Sequence, residues 1–386
     1  MHGDRRYLVA PDKYKGTLTA IEAAKALADG IRRADPGAVI VELPFADGGE
    51  GTVDAVVAGG GERRVTTVRG PLGDPVAAAW AIRHDTAFVE LAEASGLRLV
   101  SQPDGATALA ADTWGVGELI RAALDAGVAK IVIGVGGSAT TDGASGALRA
   151  LGFRFVDGDG ADVNPVESDS AIAVDSSRAD PRLRDTQFEL CADVLSPMTG
   201  DRGAARIFGP QKGADAATVE VLDERLELLA GLYATVSDAD ILATGGAAGG
   251  FSGGAMAVLG AHVRSGVDSL AEILGLEQQL GAADVVVVGE GSMDEQSRFG
   301  KTPVGIARKA RAHDVPVIAV PGISPFTGDD LAGDGIVVIS TAAAAARADG
   351  GDSLAEAAKY VSSAAEAGVT AYLSMLSRRS TPSGAE

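Results

Sequence analysis

The chain is poor in several things at once. Among its 386 residues there is a single cysteine, Cys191, so no disulfide can close within the chain and a reducing compartment, the cytoplasm, is expected. Its four histidines, His2, His84, His262 and His313, share no metal-ligand spacing, which argues against a zinc site. No apolar stretch approaches the length needed to span a membrane, and the opening MHGDRRYLVAPD enters a strand pattern with no apolar segment of signal-peptide length. Basic residues are also scarce. Thirty-three Lys and Arg against 53 Asp and Glu leave a net charge of −20, which opposes nucleic acid or an anionic membrane as a partner.

The shortage of cations makes the position of each lysine informative. There are eight, and four of them, Lys13, Lys15, Lys212 and Lys301, fall inside glycine- or proline-punctuated segments. Glycine is abundant at 52 residues, yet it gathers at strand ends and follows no repeat, as in loops that turn tightly or approach a ligand. The length exceeds what one hydrophobic core usually serves, so two domains are expected.

Patterning divides the chain. Arg6–Ala10 reads as a strand closed by Pro11, followed by a helix that Thr19 and Glu22 open as a capping box and whose apolar positions are Ile21, Ala24, Leu27 and Ile31. Val39–Leu43 is a second strand, leading through PFADGGEG into a helix from Thr52. From about Val65 to Val100 the texture becomes short β-rich pieces with turn signals such as GPLGDP, an antiparallel-leaning unit. Near residue 283 the β/α alternation returns, with Asp284–Val288 a continuous apolar strand of the buried parallel kind. The expected fold is α/β: a doubly wound, mostly parallel Rossmann/flavodoxin-like domain (1–66 plus 283–376), interrupted by a larger inserted α/β domain with a mixed sheet (67–282). A flexible tail over 377–386 completes it. Ligands are expected at the carboxyl ends of the strands, in the cleft between the domains.

Six segments carry candidate chemistry. APDKYKGT places Lys13 and Lys15 on a loop before a helix start, where lysines and exposed N–H groups favour an anion, although Asp12 also reads as a local cap. ADGGEGT sets Asp47 and Glu50 around two glycines, as a Mg²⁺ site or a base for a hydroxyl proton. IGVGGSATTDGASGALRALG runs a buried strand into Gly136, Gly137, Ser138, Thr140 and Thr141, whose amides and hydroxyls can wrap a phosphate or carboxylate. Gly143 and Gly146 read there as packing glycines, and the segment lacks a dinucleotide fingerprint.

CADVLSPMTGDRGAARIFGPQKGA ends a strand at Asp193 and presents Lys212 from a rigid loop. TGGAAGGFSGG satisfies G-x-S-x-G around Ser252, but no suitable strand leads into it and no acid-then-histidine order follows, so a hydrolase is rejected. VVVGEGSMDEQSRFGKTP offers Glu290, Asp294, Arg298 and Lys301 before a helix that Pro303 opens, while the first glycine of a Walker motif is missing.

Taken in order, APDKYKGTLTAIEAA, PFADGGEGT, IGVGGSATTDGASGALRALG, FGPQKGA, GGAAGGFSGG and GEGSMDEQSRFGKTPVGIA resemble the bacterial type I glycerate kinase family over nearly the whole chain. Tyr14, Thr17, Thr141 and Met293 depart from its common pattern without removing a charge. The resemblance implies ATP- and Mg²⁺-dependent phosphorylation of D-glycerate by two α/β domains, one inserted in the other. The residue roles are a physical assignment. Asp47, Lys15 and Asp193 are expected to be catalytic. Lys13, Gly136, Gly137, Ser138, Thr140, Thr141, Lys212, Arg298 and Lys301 are expected to bind substrate or phosphate, and Glu50, Glu290 and Asp294 to hold metal. The product is expected to be 2-phosphoglycerate over 3-phosphoglycerate, made by a monomer or homodimer; a kinase of another small hydroxy acid and a non-catalytic sensor stay open.

Overall fold

The computed structural model describes residues 4–192, 196–295, 297–299 and 301–379. They form two compact units, Met1–Asp47 with Val267–Glu386, and Gly48–Gly266. The chain is α/β throughout, as its patterning indicates.

The first unit is built on a parallel five-stranded sheet of order β14-β13-β12-β1-β2. Its strands are β1 (Arg6–Val9), β2 (Val39–Glu42), β12 (Val285–Val288), β13 (Val317–Ala319) and β14 (Ile336–Ile339). The four valines of β12 are all buried, because a central parallel strand is covered on both faces. Burying each stabilises the fold by roughly 1.5–3 kcal/mol. The helix Ala20–Ala34 starts on the capping box foreseen at Thr19 and Glu22, and it buries Ala24, Leu27 and Ile31 while Ile21 stays half-buried. Gly30 lets it cross the long helix Ala357–Arg379 closely, since a β-carbon there would collide with the Ser362 carbonyl. That long helix continues through Ser377 to Arg379, so the expected tail begins as ordered helix; residues 380–386 lie outside the described residues.

The second unit carries a six-stranded sheet of order β11-β10-β6-β5-β4-β3. Its strands are β3 (Glu62–Arg69), β4 (Pro75–Arg83), β5 (Thr86–Glu90), β6 (Lys130–Gly134), β10 (Gln187–Cys191) and β11 (His262–Arg264). β3, β4 and β5 pair antiparallel, whereas β5, β6, β10 and β11 pair parallel, so this sheet is mixed. A small antiparallel sheet of order β8-β7-β9 sits apart, from β7 (Arg154–Val156), β8 (Asp162–Val163) and β9 (Ala173–Asp175). Helix Thr52–Ala58 packs on β4 and β5, which draws Gly48 onward into this unit, so the joins differ from those drawn at 66/67 and 282/283. Among the described residues no helix is long and apolar enough to cross a membrane.

Candidate active site

In the first unit the sheet's hydrogen bonding runs past the strand ends and gathers carboxylates. Asp12 N donates to Gly289 O over 2.8 Å, setting the residue after Pro11 beside the Gly289–Glu290 turn, and Phe45 N donates to Pro11 O over 2.8 Å, bringing the loop that ends in Asp47 alongside. Three neighbouring strands thus deliver Asp12, Asp47 and Glu290 at their carboxyl ends, where parallel sheets place ligands.

The electrostatics of this group are unusual for an acidic chain. Asp12 is only 7% exposed, with Oδ2 accepting from Thr302 Oγ1 at 2.8 Å and Oδ1 from Lys13 N at 2.6 Å. Burial first, and then the charge of Asp47, push its carboxyl well above the usual carboxylate range. Glu290 accepts from Ser297 Oγ at 2.7 Å; burial raises it to about 7, with Asp12 adding to the rise and Lys301 opposing it. Buried carboxylates that repel one another in this way are set to accept a proton or a cation.

The basic groups stand around them. Lys13 is half-buried, and Lys15 is exposed on the turn that Gly16 permits at φ 82°. Lys301 is the N-cap of the helix Thr302–Ala312, which has proline in its first turn. Asp294 is exposed in a turn closed by Ser297, whose hydroxyl accepts from Asp294 N at 3.1 Å. Arg298 lies elsewhere: its guanidinium stacks over Phe326 at 4.8 Å and donates to Asp330 O at 3.0 Å.

The second unit holds the anion-binding candidates, most of them on the loop that follows β6. Gly134 and Gly136 lie directly under the turn that carries Glu50, and a β-carbon on Gly136 would stand 3.1 Å from Gly49 Cα. That turn opens the helix Thr52–Ala58, whose first amides are held by Glu90 at the end of β5: Oε1 accepts from Gly51 N at 3.1 Å and Val53 N at 2.7 Å. Beyond Gly137, at φ 72°, the chain presents Ser138, Thr140 and Thr141, all buried.

Lys212 reaches into this loop. It is 4% exposed, and Nζ donates to Thr140 O at 2.6 Å and Ser138 Oγ at 3.0 Å. Burial lowers its pKa to about 8, with the charge of Asp142 working against that fall. The loop's backbone and hydroxyls therefore surround a desolvated positive charge in a chain otherwise dominated by acids.

A family model described as "Glycerate kinase family" matches residues 7–373. The chain belongs to the glycerate kinase family. Among curated relatives, the glycerate kinase of Bacillus subtilis and the glycerate 2-kinase of Escherichia coli are each 42% identical over 324 residues, covering 82% of this chain and 85% of theirs. A crystal structure from Salmonella typhimurium LT2, provisionally assigned as glycerate kinase 2, superposes with a TM-score of 0.82 at 39% identity, covering 97% of this chain and 100% of that one. The family resemblance read from the six strings is borne out, and so is the α/β class.

Of the expected site residues, Lys13, Lys15, Asp47, Glu290, Asp294, Arg298 and Lys301 fall in the first unit, and Glu50, Gly136, Gly137, Ser138, Thr140, Thr141 and Lys212 in the second. Asp193 lies outside the described residues. Ser252 of the G-x-S-x-G match is fully buried within the helix Phe251–Leu259, consistent with rejecting a hydrolase. Two carboxylates were missed. Asp12 was read as a local cap, which it is through Lys13 N, but its burial depends on strand order. Glu90 ends a strand with no glycine beside it, so nothing in the sequence marked it.

Proposed function

We propose that the chain transfers the γ-phosphoryl group of ATP to D-glycerate, releasing ADP, and that the 2-hydroxyl is the acceptor in preference to the 3-hydroxyl. The observation that carries the reading is the group of Asp12, Asp47 and Glu290 at adjacent strand ends, with lysines on the same loops. Phosphoryl transfer asks a protein chiefly to position anions and neutralise charge. In this assignment Asp47 accepts the substrate hydroxyl proton as the oxygen attacks phosphorus, and Lys13, Lys15 and Lys301 offset phosphate charge. Asp193 is the second candidate for the base. Ser138, Thr140, Thr141 and the amides of Gly136 and Gly137, held by Lys212, bind an anionic oxygen.

The acids suit Mg²⁺. The described residues contain no cluster of three or more His, Cys, Asp or Glu fit to hold a metal alone, but Mg²⁺ typically uses one or two carboxylates together with substrate phosphates. Glu290 and Asp294, with Asp12, would hold it, and Glu50 is the candidate in the other unit; when bound, the ion would neutralise charge on the phosphates. The name of the Escherichia coli relative supports the 2-hydroxyl. The single buried cysteine supports a cytoplasmic setting, where the chain works as a monomer or homodimer.

A coupled ADP-release assay with a panel of small hydroxy acids tests this reading. Glycerate is expected to give the highest kcat/KM, and phosphorus NMR of the product is expected to show 2-phosphoglycerate. A better acceptor in the panel would reassign the substrate, and silence with every acceptor would leave a non-catalytic sensor.

A further inference from the structure

Glu90 takes no part in the assignment above, yet it is a buried carboxyl group at the carboxyl end of β5, opposite Gly134 of β6. A polar group so far from water is costly unless hydrogen bonds satisfy it. The side-chain charges that act on it most, Glu93 and Asp54, are both acids and give it no support. Its support comes from backbone: Oε1 accepts from Val53 N at 2.7 Å and from Gly51 N at 3.1 Å, while Oε2 makes no hydrogen bond among the described residues.

Those two amides belong to a helix that cannot cap itself. The first N–H groups of a helix have no partner within it and need an acceptor from outside. The helix Thr52–Ala58 starts after Gly51, at φ 100°, and glycine has no side chain to serve as that acceptor. Within the turn, Thr52 bonds Gly49 O through N at 3.3 Å and through Oγ1 at 2.7 Å, which leaves Gly51 N and Val53 N to Glu90. The cap is thus supplied from a different strand, 39 and 37 residues along the chain. Beneath the same turn, β-carbons on Gly134 and Gly136 would press on the backbone of Gly48 and Gly49. The turn that carries Glu50 is therefore seated on two glycines and tied at its far end to Glu90.

We propose that Glu90 is a positioning residue: by accepting from Gly51 N and Val53 N it fixes the turn that carries Glu50, and the role requires its reach, not its charge. The effect on turnover rests on the phosphoryl-transfer reading; the anchoring of the turn does not. Burial raises the carboxyl to about 7, in keeping with a group that serves as an acceptor whether or not it is ionised.

Substitutions at this position separate reach from charge. Glu90→Gln keeps the accepting oxygen and loses the charge, Glu90→Asp keeps the acid but falls a methylene short of both amides, and Glu90→Ala loses both. Glu90→Asp and Glu90→Ala are expected to lower kcat about tenfold to a hundredfold with the KM for glycerate unchanged, as when a group acting in the transition state is displaced. Glu90→Gln is expected to recover most of that kcat. Amide hydrogen exchange followed by NMR supplies a readout free of activity. Gly51 and Val53 should exchange at least about tenfold faster in the Asp and Ala variants, and near the wild-type rate in the Gln variant. Should Glu90→Ala fail to fold, Glu90→Asp against Glu90→Gln decides. A Gln variant as slow as the Asp variant, or wild-type kcat in a folded Asp variant, overturns the proposal. Absence of glycerate-dependent ADP release in the wild type would instead sink the phosphoryl-transfer reading and leave the exchange rates to decide the anchor, which unchanged exchange in the Asp variant would refute.

Discussion

Thr302 Oγ1 donates to Asp12 Oδ2 over 2.8 Å, tying the first turn of a helix to the loop after β1 across 290 residues of sequence. The bond fixes one oxygen of a buried carboxylate while Lys13 N holds the other. Asp12 is thus set by structure on both sides, as a group does when its charge must be held at one place. Asp12→Asn is expected to reduce kcat by roughly a hundred- to ten-thousand-fold, the usual range for loss of a catalytic charge or proton-transfer group. Thr302→Val is expected to fall between that variant and wild type. Steady-state kinetics alongside circular dichroism would check both, and near-normal turnover in a folded Asp12→Asn chain would remove this residue from the mechanism.

The raised carboxyls also set a pH dependence of stability opposite to ordinary acid denaturation. Glu90 and Glu290 are pushed to about 7 and Asp112 to about 6, each chiefly by burial, from ordinary values of 4.5 for the glutamates and 3.8 for the aspartate. Between these limits the folded chain binds more protons than the unfolded chain, so unfolding free energy falls as pH rises through the window. Tm without ligands is expected to be higher at pH 5 than at pH 7.5. Lys212 has the opposite sign, its pKa lowered from 10.5 to about 8, so its contribution recovers as pH climbs between those values. Mg²⁺ should raise Tm at pH 7.5 and have less effect at pH 5, where Asp12 and Glu290 are protonated. Calorimetry at the two pH values decides it, and an Mg²⁺ effect independent of pH would count against Asp12 and Glu290 as its site.

Much of this was legible in the sequence because its signals are local. The capping box at Thr19, the valine run of β12 and the change of texture after residue 65 each became the element they announced. What stayed hidden depended on short elements or on strand order. β7, β8 and β9 have two or three residues each, too few for alternation to show. Helix Ala342–Asp349 is capped by Thr341, but its run of alanines has no amphipathic period to announce it. Gly146 was read as a helix–strand packing glycine; it lies instead against the start of the helix Trp114–Asp125, where a β-carbon would stand 2.8 Å from Thr113 N. Arg298 looked available on its loop, and only the fold reveals Phe326 beneath it.

Lys212→Met offers a separation of function from stability. A buried ammonium with a lowered pKa opposes folding at neutral pH, so replacing it with an apolar chain of similar length removes a desolvation cost. The loss of two hydrogen bonds acts against this gain. Tm is expected to hold or rise while kcat/KM falls at least about a hundredfold, in line with removal of a charge that acts in the transition state. A variant that loses stability and retains turnover would make Lys212 a purely structural residue.

Gly134 tests whether the turn above β6 must lie where it does. Its backbone has no positive φ, so alanine there introduces bulk and no conformational strain. The added β-carbon would collide with the carbonyl oxygen of Gly48, a backbone atom that can yield only by moving the Gly48–Thr52 turn and Glu50 with it. Overpacking of this kind costs about 1–3 kcal/mol. Gly231 is the control: it lies exposed in the helix Ala216–Ala234 with nothing near its missing β-carbon, so Gly231→Ala should stabilise by about 0.5–1 kcal/mol. Gly134→Ala is expected to lower Tm and to reduce kcat beyond what its stability loss accounts for at 20 °C, whereas Gly231→Ala should raise Tm and leave kcat alone. Equal kcat in the two folded variants would show that the turn tolerates displacement and that Glu50 is not held in place for catalysis.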